Sequence, residues 1–152
     1  MDMNWQKDGK WNDHGCAASK QAICKKRSCP IGWHSFNLFC YKLYEDPLTW
    51  DAADRKCKEE GARLTSIHDE EENEFISTMG KTVWIGGSDK NQEGIWSWSN
   101  GSVWNFTNWG KSEPNSGGNI DKDEDCLQLH GNSEGKWNDA NCTDAQGFIC
   151  QM

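Results

Sequence analysis

No apolar stretch of this 152-residue chain approaches the roughly 18 residues that a bilayer-spanning helix requires. Its opening, Met1-Asp2-Met3-Asn4-Trp5-Gln6-Lys7-Asp8, holds no apolar signal core. No membrane insertion is expected, and either a leader has been removed or the chain is a fragment. Basic charge is also scarce. Sixteen Lys and Arg against 24 Asp and Glu leave a net charge of -8, a field that repels phosphate backbones and makes nucleic acid and anionic membrane poor partners. Catalytic signatures are missing too. His14, His34, His68 and His130 stand apart with no His-Glu-x-x-His run, no Cys-x-x-Cys points to zinc or redox exchange, and no Ser or Cys nucleophile arrangement is visible. The chain is not expected to be an enzyme.

What is present is cysteine, tryptophan and glycine. Eight cysteines, an even number, point to an oxidising compartment and hence to a secreted, extracellular protein. Ten tryptophans and 15 glycines favour a loop-rich mixed fold over a helix bundle. The length allows one ordinary domain. An internal repeat sharpens this: Gly9-Lys10-Trp11-Asn12-Asp13, Cys16 and Cys24 recur 126 positions later as Gly135-Lys136-Trp137-Asn138-Asp139, Cys142 and Cys150. Residues 1–28 therefore read as the tail of a preceding repeat plus a linker, Lys25 to Ser28, and residues 29–152 as one complete domain.

Within that domain, the alternating, aromatic-rich run from Trp33 to Tyr44 predicts an N-terminal hairpin. Pro47 to Gly61 reads as a helix with Thr49 as N-cap, an inner stripe of Trp50, Ala53 and Cys57, and Gly61 as its stop. Ser66 or Asp69 opens a second helix whose first turn is acidic, with Phe75, Ile76 and Met79 inward and Gly80 at its end. Short strands are expected at Val83–Ile85, Trp96–Trp98, Cys126–Leu129, Lys136–Asp139 and Gly147–Gln151. The Asn-, Gly-, Ser- and Asp-rich stretch from Gly101 to Glu124 is a long loop, of the kind that is either disordered or functional.

Cys29, Cys40, Cys57, Trp84-Ile85-Gly86, Glu113-Pro114-Asn115, Cys126, Trp137-Asn138-Asp139, Cys142 and Cys150, in this order and spacing, resemble the long form of the C-type lectin domain over about 122 residues. The resemblance implies an α+β fold with two helices, small antiparallel sheets and a long calcium-binding loop. It also implies the pairings Cys29–Cys40, Cys57–Cys150 and Cys126–Cys142. The second of these closes a loop of roughly 90 residues, for which chain-entropy reasoning gives roughly 4 to 5 kcal/mol.

Calcium is a hard cation that takes six to eight oxygens. By the resemblance, Glu113, Asn115, Glu124, Asn138 and Asp139 hold the principal calcium, with Asp139 adding its main-chain carbonyl. Asp89, Glu93 and Asp125 match positions of an auxiliary calcium, although Ser116 stands where many members place an Asp, a place for which Asp121 and Asp123 of the longer loop are the candidate substitutes. The resemblance further implies a cis Glu113–Pro114 bond. A vicinal diol would then meet two acid–amide clamps, Glu113 with Asn115 and Glu124 with Asn138. The order acid then amide resembles the binders of mannose, N-acetylglucosamine and fucose, and Ser116-Gly117-Gly118 supplies no ring to stack on galactose. Against the simplest mannose-binding members, the segment from Asn115 to Glu124 is about three residues longer.

The expected partners are mannose-type glycans on cell or microbial surfaces, in the setting of innate immunity. The alternative is a protein-interaction or ice-binding module of the same fold that lacks sugar recognition. Asp121, Asp123, Glu134 and the acidic run Asp69 to Glu74 read as solvated surface, Trp84, Trp96 and Trp98 as core, and Trp104 and Trp109 remain open. Sequons at Asn100, Asn105 and Asn141 fit a secreted glycoprotein, with Asn141 crowded by the adjacent Cys142. In the remnant, loop closure favours a Cys16–Cys24 pair over pairing between chains, and a strand-like tail would allow a homodimer by strand exchange.

Overall fold

The hairpin expected from the aromatic alternation opens the domain. In the computed structural model, which describes residues 28–116 and 123–152, β1 (His34–Phe36) pairs antiparallel with β2 (Phe39–Leu48). The repeat remnant with Cys16 and Cys24, the homodimer drawn from it, and Asp121 lie outside the described residues.

Helix α1 (Trp50–Glu59) begins where Thr49 caps it, the Thr49 hydroxyl accepting from the Ala52 N–H at 3.4 Å. Trp50, Ala53 and Cys57 are buried, as the stripe predicts, and Gly61 follows with a φ of 72°. The start is three residues later than the sequence pattern indicates. Pro47 and Leu48 stay extended because Leu48 still pairs with Gln146 and its carbonyl accepts from the Trp84 indole at 3.0 Å. Helix α2 (Glu70–Ser77) is capped by Asp69, whose carboxylate accepts from the Glu72 N–H at 2.8 Å. Ser66 is instead held by Gln151. The helix ends short of Gly80 because the N–H groups of Thr78 and Met79 turn onto Phe75 and Ile76 three residues back.

The remaining strands are β3 (Arg63–Leu64), β4 (Thr82–Ser88), β5 (Ser97–Trp98), β6 (Cys126–His130), β7 (Lys136–Ala140) and β8 (Gln146–Gln151). They form one mixed sheet in the order β1-β2-β8-β4-β6-β7, with β3 on β8 and β5 on β4. Two helices beside this sheet make the α+β fold that was expected, its strands pairing antiparallel except where β8 meets β4. The final strand inserts between β2 and β4, antiparallel to the first and parallel to the second at Val83–Gly147 and Trp84–Phe148. Strand β3 is two residues long, too short for any periodicity to announce it.

Burial concentrates on both sides of β4 and β8. Tyr41, Ile76, Ile85, Leu127, Trp137 and Ile149 form one cluster, and Trp50, Leu64, Trp84 and Phe148 form another against the cystines. The three pairings are Cys29–Cys40, Cys57–Cys150 and Cys126–Cys142, with Cα separations of 5.6, 5.4 and 5.1 Å. They bind the hairpin, α1 and β6 respectively, so the long connection from β5 to β6 leaves from and returns to a stapled frame.

Candidate calcium and ligand site

The long connection is fastened to β7 before it reaches its acidic residues. Trp137 is fully buried, and its indole N–H donates to Asn73 of α2 at 2.8 Å. The Trp137 backbone bonds Asn108 on one side and Gly110 on the other, at 2.9 and 2.8 Å. Around its ring stand Trp98, Trp104 and Trp109, with centroids 5.7, 5.8 and 5.9 Å away. Both tryptophans left open by the sequence thus serve as packing beneath the loop. Aromatic rings meeting edge to face give it a rigid floor, and strand alternation places Asp139 on the same face of β7 as Trp137.

The structure ties Glu113, Asn115 and Asp139 together, sets Glu124 near enough for its charge to act on Glu113, and keeps Asn138 beside Asp139 in β7. The Asp139 carboxylate, 1% exposed, accepts from the backbone N–H of Asn115 at 2.9 Å and of Ser116 at 2.7 Å. The Asn115 side-chain amide donates to Glu113 Oε2 at 2.6 Å, and the Asn138 amide donates to the Asp139 carbonyl. The Glu113–Pro114 bond is cis. Ser112 and Ser116, on either side of the triplet, hold positive φ angles of 70° and 50°, a region that non-glycine residues seldom occupy. Burial pushes the Glu113 carboxyl above its usual range; contact with Asp139 and the nearby charge of Glu124 push it further. Three acids pressed together in this way favour a cation.

Asp89, Glu93 and Asp125 also converge, each offering a carboxylate oxygen within 4.8 Å of the others. Asp89 Oδ2 accepts from the Gly94 N–H at 2.9 Å, whereas its Oδ1 is buried with no hydrogen-bond partner among the described residues. A buried carboxylate oxygen left unsatisfied is costly unless something positive meets it. Burial raises the Asp89 carboxyl, and Glu93 and Asp125 add to the shift; burial also raises Asp125, with Asp123 and Glu93 contributing. This donor set, hard oxygens only, fits calcium.

The two groups are joined by a residue whose linking role the sequence did not disclose. Ser116 donates its hydroxyl to Glu93 at 2.6 Å while its backbone N–H serves Asp139. No local pattern announces a contact across 23 positions. Lys90 also escaped notice: it pairs with Asp51 at 2.6 Å, lies 4.6 Å from the Trp50 ring centroid and partly offsets the charge on Asp125.

The family model described as "Lectin C-type domain" matches residues 46–152. A "C-type lectin" of Micrurus corallinus is 42% identical over 135 residues, spanning 82% of this chain and 83% of its own. "Ladderlectin" of Oncorhynchus mykiss is 38% identical over 124 residues, 77% of this chain, and the match spans 64% of ladderlectin's length. Among solved structures, the cow carbohydrate-recognition domain of CD23, crystallised in the presence of GlcNAc2Man3 oligosaccharide, superposes with a TM-score of 0.75 at 34% identity, covering 82% of this chain and 95% of that one. A calcium-independent type II antifreeze protein gives the same TM-score at 31% identity, covering 82% and 94%.

Proposed function

This chain belongs to the C-type lectin domain family, and from that premise we propose that it binds mannose-, N-acetylglucosamine- or fucose-type sugars in a calcium-dependent manner through Glu113, Asn115, Glu124, Asn138 and Asp139. The observation that carries the reading is the acid–amide pair of Glu113 and Asn115, hydrogen-bonded to each other and anchored through backbone N–H groups on buried Asp139. When bound, calcium supplies a hard Lewis acid to which sugar hydroxyls give lone pairs in place of water. The chain's own work is directional. The amides of Asn115 and Asn138 donate to the hydroxyl oxygens of a vicinal diol, and the carboxylates of Glu113 and Glu124 accept the hydroxyl protons. Asp89, Glu93 and Asp125 would hold an auxiliary ion, tied to the first group through Ser116.

A site of this size touches few ligand atoms, so its monovalent dissociation constant should be roughly millimolar. The repeated Gly-Lys-Trp-Asn-Asp motif supports a parent in which several copies act together and gain by avidity. Three disulfides, relatives of the lectin type and the absence among described residues of a helix able to cross a membrane support a secreted or extracellular setting, with glycans on cell or microbial surfaces as partners.

The test is chromatography of the purified chain on mannan resin. Retention in calcium and release by a chelator are expected, and passage through the column in calcium would sink the reading. Calcium-dependent thermal stabilisation together with silence across a glycan array would favour an ice-binding or protein-interaction module instead.

A further inference from the structure

The chain carries three Asn-x-Ser/Thr triplets, beginning at Asn100, Asn105 and Asn141, and the structure treats their side chains differently. We propose that Asn105 is the position that carries an N-linked glycan and that Asn100 and Asn141 stay unmodified. The assignment rests on the extracellular reading above, because the donor class required is a lipid-pyrophosphate-linked oligosaccharide of the secretory route. In the transfer, the side-chain amide nitrogen bonds to the anomeric carbon and the bond from that carbon to pyrophosphate oxygen breaks. One amide proton goes to a base, the lipid pyrophosphate departs, and nothing is oxidised or reduced.

Segment 103–107 alternates in exposure. Val103, 73% exposed, Asn105 and Thr107 face solvent, while Trp104 and Phe106 turn inward, their rings 5.8 and 5.7 Å from Trp137. The acceptor Asn and the hydroxyl of its triplet therefore share the outer face, as period-two backbone requires. Asn105 is held by its oxygen: Oδ1 lies 3.0 Å from His68 Nδ1, and His68 Nε2 lies 3.0 Å from the Ser66 hydroxyl. The imidazole with its proton on Nδ1 satisfies both contacts, donating to Asn105 and accepting from Ser66. The Asn105 nitrogen makes no hydrogen bond among the described residues. Because a glycosylated amide keeps its carbonyl oxygen, the tie to His68 survives modification.

Asn100 is arranged the other way round. Its nitrogen donates at 2.8 Å to the hydroxyl of Ser66, a residue 2% exposed whose backbone N–H donates to Gln151 at 3.0 Å, while its oxygen accepts from the Ser102 N–H and hydroxyl at 3.0 and 2.6 Å. A sugar there competes with a contact that fastens the start of the long connection to the frame. Asn141 is half-buried in a turn closed by Thr143 and Asp144, and its neighbour Cys142 is both bridged to Cys126 and hydrogen-bonded through its carbonyl to the first N–H of α1 at 3.1 Å.

The test is to express the full 152-residue chain behind a cleavable secretory leader in insect cells and to compare intact masses before and after peptide:N-glycosidase digestion. One glycan is expected on the parent, on Asn100→Gln and on Asn141→Gln, with complete loss in Asn105→Gln. Thr107→Ala should lose it equally while keeping the Asn105 amide on His68, which separates loss of the acceptor from misfolding. A secreted parent without a glycan, or a glycan that persists in Thr107→Ala or maps to Asn100 or Asn141, would overturn the assignment. Because the leader delivers the chain to the transferase in every case, these outcomes are independent of mannan binding.

Discussion

Asp139 does three jobs within one residue: its carboxylate fixes the backbone of Asn115 and Ser116, its carbonyl meets the Asn138 amide, and its charge presses on Glu113. Of the residues around it, those named by the Glu-Pro-Asn and Trp-Asn-Asp runs were legible in the sequence because each run keeps its donors adjacent. Ser116 was legible only as a departure from the family at the auxiliary site; its bridge between Glu93 and Asp139 was not, because it is created only when the loop folds back over Glu93. Two predictions belong here. Asn115→Asp exchanges a donor for an acceptor in the proposed clamp, and loss of one hydrogen bond to a neutral hydroxyl, about 0.5 to 1.5 kcal/mol, should weaken methyl mannoside binding by roughly twofold to tenfold in titration calorimetry. The second concerns pH. Burial and crowding raise the carboxyls of Glu113, Asp89 and Asp125 above their usual range. A carboxyl raised on folding contributes stability that is complete below its unfolded value and is lost as pH rises through the folded one. The metal-free domain should therefore lose stability as pH climbs out of the carboxylate range. Calcium, which takes the ionised groups, should raise the melting temperature most near neutrality and little at about pH 4, near the unperturbed carboxylate values. Scanning fluorimetry with and without calcium checks this, and an equal shift at both pH values would contradict it.

At the scale of elements, helices announced themselves through caps and stripes, and most strands through short aromatic or β-branched runs. Their ends were set by partners distant in sequence. Leu48 stays in β2 because Gln146 and the Trp84 indole hold it, and β3 exists only because β8 offers Cys150 and Gln151 as partners. The same dependence appears at the short 3-10 turn Gly131–Ser133 between β6 and β7, which sits against the end of α2. A Cβ on Gly131 would collide with the carbonyl oxygens of Ser77 and Gly80, both backbone atoms that cannot swing aside. Gly131→Ala should cost about 1 to 3 kcal/mol, the usual range for overpacking, read as a lower urea midpoint with an unchanged slope. An unchanged midpoint would show that α2 and β6 yield at this contact.

For the whole molecule, topology was the part least readable from local pattern. Placing β8 between β2 and β4, with a parallel pairing to β4, depends on where the C-terminal strand returns rather than on any residue within it. The cystine framework came through the family resemblance, since spacing alone leaves many connectivities open. Cys57–Cys150 ties α1 to β8 across 93 positions, so the double variant Cys57→Ala/Cys150→Ala should lose about 2 to 5 kcal/mol of unfolding free energy, measured by denaturant titration. Frame and loop meet in a single functional claim, that calcium and a sugar diol share the acids and amides gathered around Asp139. The most direct measurement is an amide NMR titration of methyl α-mannoside, run once in calcium and once in chelator. The account predicts saturable shifts at Glu113, Asn115, Glu124, Asn138 and Asp139 in calcium, with a roughly millimolar dissociation constant, and none in chelator. Shifts that are the same in both, or a calcium-loaded domain whose five amides ignore the sugar, would contradict it.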